Sequence, residues 1–173
     1  PKTPKPRNSE NIQIFFIEII ENDPEFNGKS SQTTECKLCN IKNIQSSTLN
    51  TIYLDSIGSF REQVVRYFKK SEIDNYQCDN CQCSCSATIH FSIMLYPKFL
   101  TFKVKTNSLP MKFSFNDNDY KLIGLCCYFG NSRSGHYVAY IAVDNKWYLK
   151  DDDIIKEVEK PDISQICYSV YTN

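Results

Sequence analysis

The chain has 173 residues, 41% hydrophobic and 23% charged, which are the proportions of a globular protein and exclude a disordered or fibrous one. Twenty basic residues balance twenty acidic ones, so no net field draws the chain to nucleic acid or to an anionic membrane surface. The longest apolar run, IQIFFIEII at 12–20, falls far short of a bilayer span and contains Glu18, so nothing in it reads as a transmembrane helix.

The chain opens on Pro1 with neither Met nor a signal-peptide pattern, the reading of a fragment or of a processed or trimmed chain. PKTPKPRNSE, residues 1–10, is proline-rich and basic and is expected to be a linker, with one ordered domain over 11–173. IQIFFIEII admits a buried helix or a strand, and the helix is preferred. In FNGKSSQTTECKLC the SQTTEC portion alternates and runs into a cysteine pair, as one strand of a ribbon with a metal knuckle at its tip. TIYLDSI then reads as a strand and GSFREQVVRYFKKSE as a helix. Ser59 and Glu62 form a capping box there, and Phe60, Val64, Val65 and Phe68 form one apolar stripe. The chain is expected to turn at IDNYQ into CDNCQCSC and to leave in a long β pattern, SATIHFSIMLYPKFLTFKVK, which Pro97 divides into two strands. LIGLCCYF, HYVAYIAV, KWYLK, DIIKEV and QICYSVY follow as strands between turns. The fold class is α+β, with a strand-rich C-terminal half.

Nine cysteines is a high number, and their spacing decides the reading. An odd total without a secretory signal argues against a disulfide framework, and two CxxC pairs argue for a metal in a reducing compartment, cytoplasm or nucleus. Each CxxC turn aims two thiolates at one point, so two such turns on neighbouring hairpins complete a closed tetrahedral site. The candidate ligands are Cys36, Cys39, Cys78 and Cys81, and the ion is a structural Zn2+. Cys83, Cys85 and His90 stay open as replacements.

The second constellation is SRSGHYVAYIAVDNKWYLKDDD, where a histidine follows a glycine and two apolar strands flank a turn at Asp144 and Asn145. A symmetric turn sets His136 opposite Asp153 and Val138 opposite Asp151, so these four share one face while Asp152 points to the other. The partner of His136 is then Asp153, or Asp151 across a diagonal. An aspartate on one ring nitrogen sets the tautomer, so that the other nitrogen can take a proton from a nucleophile. Gly135 is expected to leave room beside the ring for a substrate backbone.

Taken together, GHYVAYI with WYLKDDD, YKLIGLCCYFG ahead of them, FNGKSSQTTECKLC with YQCDNC, and FLTFKVK between resemble the ubiquitin-specific proteases. These are papain-like cysteine peptidases that release ubiquitin from its conjugates. The resemblance covers about residue 26 to the C-terminus. It implies a papain-like palm (about 96–173) with zinc-ribbon fingers (about 26–95) and a thumb that is missing or incomplete. It implies that Cys36, Cys39, Cys78 and Cys81 hold zinc, that His136 is the general base, that Asp151 orients it and that Asp152 assists. Ser134, Gly135 and Tyr137 would lie beside the ubiquitin tail. The implied partners are ubiquitin and ubiquitinated proteins, with neither nucleic acid nor membrane.

The chain departs from the family pattern in two places. Tyr128 stands where the family often has a histidine, a difference read as one of packing. The nucleophile box upstream of the fingers is absent, and no cysteine in the chain fits its role. NIQIFFIEII resembles the family's DAQEF helix, with Gln13 and Phe15 in register, so the cysteine is expected on a segment before Pro1 or on a separate chain. The alternative is a ubiquitin-binding module without catalysis.

Overall fold

The computed structural model describes residues 20–55, 57–106, 108–131 and 134–173. The expected linker at 1–10, nearly all of IQIFFIEII, and both Gln13 and Phe15 lie outside them.

A 3-10 turn at Pro24–Phe26 leads into the first strand. Asp23 precedes it, and its carboxylate accepts a hydrogen bond from the Glu25 N–H at 2.9 Å. Two sheets follow. The smaller is antiparallel, in the order β2 (Lys42–Leu49), β1 (Gly28–Cys36), β5 (Ser84–Leu95), β4 (Ser71–Gln77). The larger has eight strands. Its path is β11 (Ile154–Val158), β10 (Lys146–Asp151), β9 (Gly135–Val143), β8 (Asn118–Gly130), β12 (Ile166–Thr172), β6 (Phe99–Lys103), β3 (Thr51–Tyr53), with β7 (Lys112–Phe115) also paired to β8. The chain passes from the small sheet to the large one at Tyr96–Lys98, where Pro97 supplies no N–H for either ladder. β3 lies early in sequence, yet it pairs in parallel with β6 and belongs to the large sheet.

The single described α-helix of more than one turn, α1 (Phe60–Phe68), starts where its capping box demands. The Ser59 side chain accepts from the Glu62 N–H, and the Glu62 carboxylate accepts from the Ser59 N–H at 2.7 Å. The helix ends at Phe68, short of the expected span through KKSE. Ser71–Gln77, which spans the expected helix end at Ser71 and Glu72 and the expected turn IDNYQ, is strand β4, with Asn75 in the left-handed region (φ 58°) at an irregularity of its register. Val65 is 58% exposed, contrary to the expected stripe. The buried side is Phe60, Gln63 and Val64, with Tyr67 and Phe68 partly covered, a spacing of three and four that leaves Val65 on the solvent side.

Phe60 lies at the centre of the core, with ring centroids 5.1 Å from Phe102, 5.3 Å from Phe113 and 5.7 Å from Tyr171. These contacts hold α1 against β6, β7 and β12. Tyr171 is buried and its hydroxyl donates to the Pro110 carbonyl at 2.8 Å, which satisfies the polar end of an otherwise apolar ring. Tyr67 stacks on Phe91 of β5 at 5.3 Å, so the same helix couples the two sheets. No described helix is long and apolar enough to cross a membrane.

Candidate functional site

The cysteine constellation is built from two equivalent turns. In the first, the Cys36 N–H donates to the Ile41 carbonyl (3.0 Å) and the Asn40 N–H to the Cys36 carbonyl (2.9 Å). In the second, the Cys78 N–H donates to the Cys83 carbonyl (3.1 Å) and the Gln82 N–H to the Cys78 carbonyl (2.8 Å). Each turn closes through a residue in the left-handed region, Asn40 (φ 57°) and Gln82 (φ 56°). The β1–β5 pairing brings the two turns together, with Cys36 opposite Ala87.

The sulfurs of Cys36, Cys39, Cys78 and Cys81 all lie within 4.8 Å of one another. Cys36 and Cys81 are 3.9 Å apart and Cys39 and Cys78 3.6 Å. A tetrahedral ZnS4 centre with bonds of about 2.3 Å has sulfur–sulfur edges of about 3.8 Å, so these two edges match a zinc site and the four residues fit the ion. The Cys39 N–H donates to the Cys36 sulfur and holds that thiol below its ordinary pKa. Cys83 is exposed, with its thiol on the Cys81 carbonyl. Cys85 lies 3.3 Å from Cys36 but outside the group of four. His90 lines a separate cavity of about 490 Å³ with Glu35 and Lys70 on a face of the small sheet.

The histidine site is built on the β9–β10 hairpin. Asp144 (φ 50°) and Asn145 (φ 64°) are both left-handed, the requirement of a two-residue turn matched to strand twist. The resulting register runs from Lys146 opposite Val143 to Lys150 opposite Ala139. Asp151 therefore comes level with Val138, one diagonal from His136, and its Oδ1 meets His136 Nε2 at 2.5 Å. Both side chains remain 39% exposed, so a reactant can reach the ring. With Nε2 donating to the carboxylate, Nδ1 carries the lone pair.

Asp152 departs from the parity expectation. The strand ends at Asp151, and Asp152 turns back with φ 49° at the start of the β10–β11 corner. A carboxylate oxygen there lies within 4.8 Å of the ligating atoms of His136 and Asp151. Alternation applies only while the chain is extended. Asp153 lies in the same corner, beyond the reach of the ladder that would have set it opposite His136.

Gly135 is closely packed on the face opposite His136. The space its side chain would fill there is occupied by Tyr128, whose Cζ and Oη would lie 2.2 Å from a Cβ. Tyr137 pairs with Tyr128 across β8 and β9, with ring centroids 4.6 Å apart, on the sheet face opposite His136. Ser134 belongs to the β8–β9 corner, where its N–H donates to Asn131 Oδ1 at 3.1 Å. Ser132 and Arg133 lie outside the described residues. The Tyr128 contact was hidden in the sequence because it joins residues that meet only once the hairpin has formed.

All nine cysteines are described, and the three outside the ribbon tip are poor nucleophiles for His136. Cys127 shares its face through Val138 but is fully buried, donates to the Asp162 carbonyl at 3.3 Å, and is pushed by burial up to about 12. Its hydrogen bond with Cys167, then burial, push the buried Cys126 thiol up. Cys167, whose thiol donates to the Cys126 carbonyl at 3.0 Å, lies close to Tyr137, on the side away from His136.

Comparison with known proteins bears on the family. Over 70 residues the chain is 37% identical to the probable ubiquitin carboxyl-terminal hydrolase 8 of Schizosaccharomyces pombe, covering 39% of this chain and 14% of that protein. It is 27% identical over 161 residues to ubiquitin carboxyl-terminal hydrolase 16 of Arabidopsis thaliana, covering 75% of this chain and 16% of that protein. Among solved structures it superposes on a chain of the SAGA DUB module of Ubp8, Sgf11, Sus1 and Sgf73 bound to monoubiquitin. The TM-score is 0.73 at 16% identity, over 96% of this chain and 48% of that one. The chain thus spans about half of that structure's length and a smaller share of these curated relatives. The strand-rich architecture with few helices resembles the matched half of that solved chain. The family profile described as ubiquitin carboxyl-terminal hydrolase matches residues 14–171, and the chain belongs to the ubiquitin-specific protease family.

Proposed function

We propose that the chain is the palm and fingers portion of a deubiquitinase, in which His136 is the general base, Asp151 orients it and Asp152 assists. The nucleophilic cysteine is supplied by a thumb segment outside this chain. The observation that carries the reading is the His136 Nε2 to Asp151 Oδ1 contact, which leaves Nδ1 as the base toward a thiol. His136 Nδ1 takes the proton of the cysteine, and the thiolate attacks the carbonyl carbon of the last glycine of ubiquitin. The carbon–nitrogen bond to the substrate breaks as the imidazolium returns the proton to the leaving amine. Water, deprotonated by the same nitrogen, then hydrolyses the thioester and frees the cysteine.

Cys36, Cys39, Cys78 and Cys81 would hold a structural zinc. Its closed tetrahedral set offers no position for water, so it supplies folding energy to the fingers and takes no part in the reaction. Ubiquitin and ubiquitinated proteins are the proposed partners, and Ser134, Gly135 and Tyr137 contribute to the walls near the ubiquitin tail through backbone and shape. A reducing compartment, cytoplasm or nucleus, keeps the thiols available.

The test uses the full-length protein and a fluorogenic ubiquitin C-terminal amide. The expected outcome is hydrolysis that His136→Ala lowers at least about 10²-fold. Ubiquitin binding without hydrolysis, and without labelling by a thiol-reactive ubiquitin probe, would instead make it a non-catalytic binding module.

A further inference from the structure

The end of β9 that carries His136 is paired along one edge only. The ladder between β9 and β10 stops at Ala139, so residues 135–138 of β9 pair with β8 alone. Asp151 meets His136 from beyond that ladder. A contact on the face of the sheet can add the support that the missing β10 pairing does not give the His136 backbone.

We propose that Tyr128 is this support, a positioning residue that fixes His136 from the opposite face of β9. The inference rests on the catalytic reading of His136 above. The Tyr128 ring fills the space at Gly135 so closely that a Cβ there would meet Cζ and Oη at 2.2 Å and Cε2 at 2.4 Å, distances real carbons do not adopt. Its hydroxyl donates to the Asn131 carbonyl at 2.6 Å, and a Cβ on Gly130 would come within 3.0 Å of the same oxygen. One side chain thus spans the last residues of β8 and the first of β9. Tyr128 is itself anchored: its N–H donates to the Gln165 carbonyl at 2.8 Å, and its ring packs on Tyr137 at 4.6 Å.

Because successive side chains alternate, a ring pressed on Gly135 and Tyr137 sets the height of the peptide unit that bears His136 on the other face. A displacement of about 0.5 Å is enough to spoil a catalytic contact. Gly135 is therefore required by the tyrosine behind it, and the pair works as a unit.

The experiment compares Tyr128→Phe, Gly135→Ala and the double variant Tyr128→Ala/Gly135→Ala in the full-length protein. Hydrolysis of the fluorogenic ubiquitin amide is measured along with the 15N shifts of the His136 imidazole without substrate. Tyr128→Phe removes only the hydroxyl and lowers kcat about fivefold, with KM unchanged and the 15N shifts moved toward mixed tautomers. Gly135→Ala lowers kcat further, and the double variant recovers part of the loss because the methyl takes the space the ring gave up. If Tyr128→Phe and Gly135→Ala leave kcat and the imidazole shifts as in the parent while His136→Ala is inactive, the inference is overturned. If His136→Ala stays active, the catalytic reading fails by itself, and the imidazole shifts still decide whether Tyr128 positions the ring. Should Gly135→Ala fail to fold, Tyr128→Phe alone carries the test.

Discussion

At the scale of the residue, the three aspartates that close DDD have three different positions. Asp151 is the last residue of its strand and meets the histidine ring directly, and Asp152 reaches the same place from a left-handed turn. Asp153 follows it in the corner. Their expected effects on hydrolysis differ accordingly. Asp151→Asn keeps the shape but replaces the carboxylate by an amide, which no longer enforces the tautomer with its lone pair on Nδ1. It is expected to lower kcat about 10²-fold or more in the full-length protein. Asp152→Asn removes only a neighbouring charge at an exposed site and is expected to stay within about fivefold. Steady-state kinetics with the fluorogenic ubiquitin amide separate the two; equal losses would show that the pair acts as one acidic group. The direct partner was legible in the sequence as one of two aspartates, because turn symmetry and strand parity are local rules. The return of Asp152 was not, because it depends on where the extended chain stops.

At the scale of the element, helix α1 and the two cysteine turns carry their own instructions. Ser59→Ala removes the hydroxyl that accepts the Glu62 N–H and is expected to lower stability by about 1 kcal/mol, measured by urea unfolding. The Glu62 carboxyl is held below its ordinary value by the Ser59 N–H and hydroxyl. Because its folded value is depressed, its contribution is present above the ordinary glutamate range and is lost as pH falls through the lowered folded value. Glu62→Gln is therefore expected to flatten the acid limb of the thermal stability profile. For the cysteine turns, one zinc per chain is the expected stoichiometry by elemental analysis. Cys78→Ser is expected to abolish it, and Cys85→Ser to retain it, since Cys85 touches Cys36 but lies outside the tetrahedral group. Loss of zinc in Cys85→Ser would move the fourth ligand from Cys81 to Cys85. Chelation of the metal is expected to speed amide exchange in β1, β2, β4 and β5 and to leave β8 to β10 protected.

At the scale of the whole molecule, two sheets share one helix. Phe60 is 2% exposed and packs on Phe102, Phe113 and Tyr171, so Phe60→Ala leaves a cavity where α1, β6, β7 and β12 meet. The expected loss is about 3 to 5 kcal/mol by urea unfolding, enough to loosen both sheets. Two sets of features separate at this scale. The amino-acid order alone specifies the capping box, the division of the long β pattern at Pro97, the two CxxC turns and the β9–β10 register. Each is set by dihedral preference or period-two alternation within a few residues. β2 and β4 escaped it because they are polar and largely exposed, with no apolar alternation to reveal them. Packing across the fold settles that Val65 faces solvent, that Cys81 and not Cys85 joins the group of four, and that Tyr128 fills the space of Gly135. These outcomes depend on the volume shared between side chains distant in sequence, and local preference carries no information about who the neighbour will be.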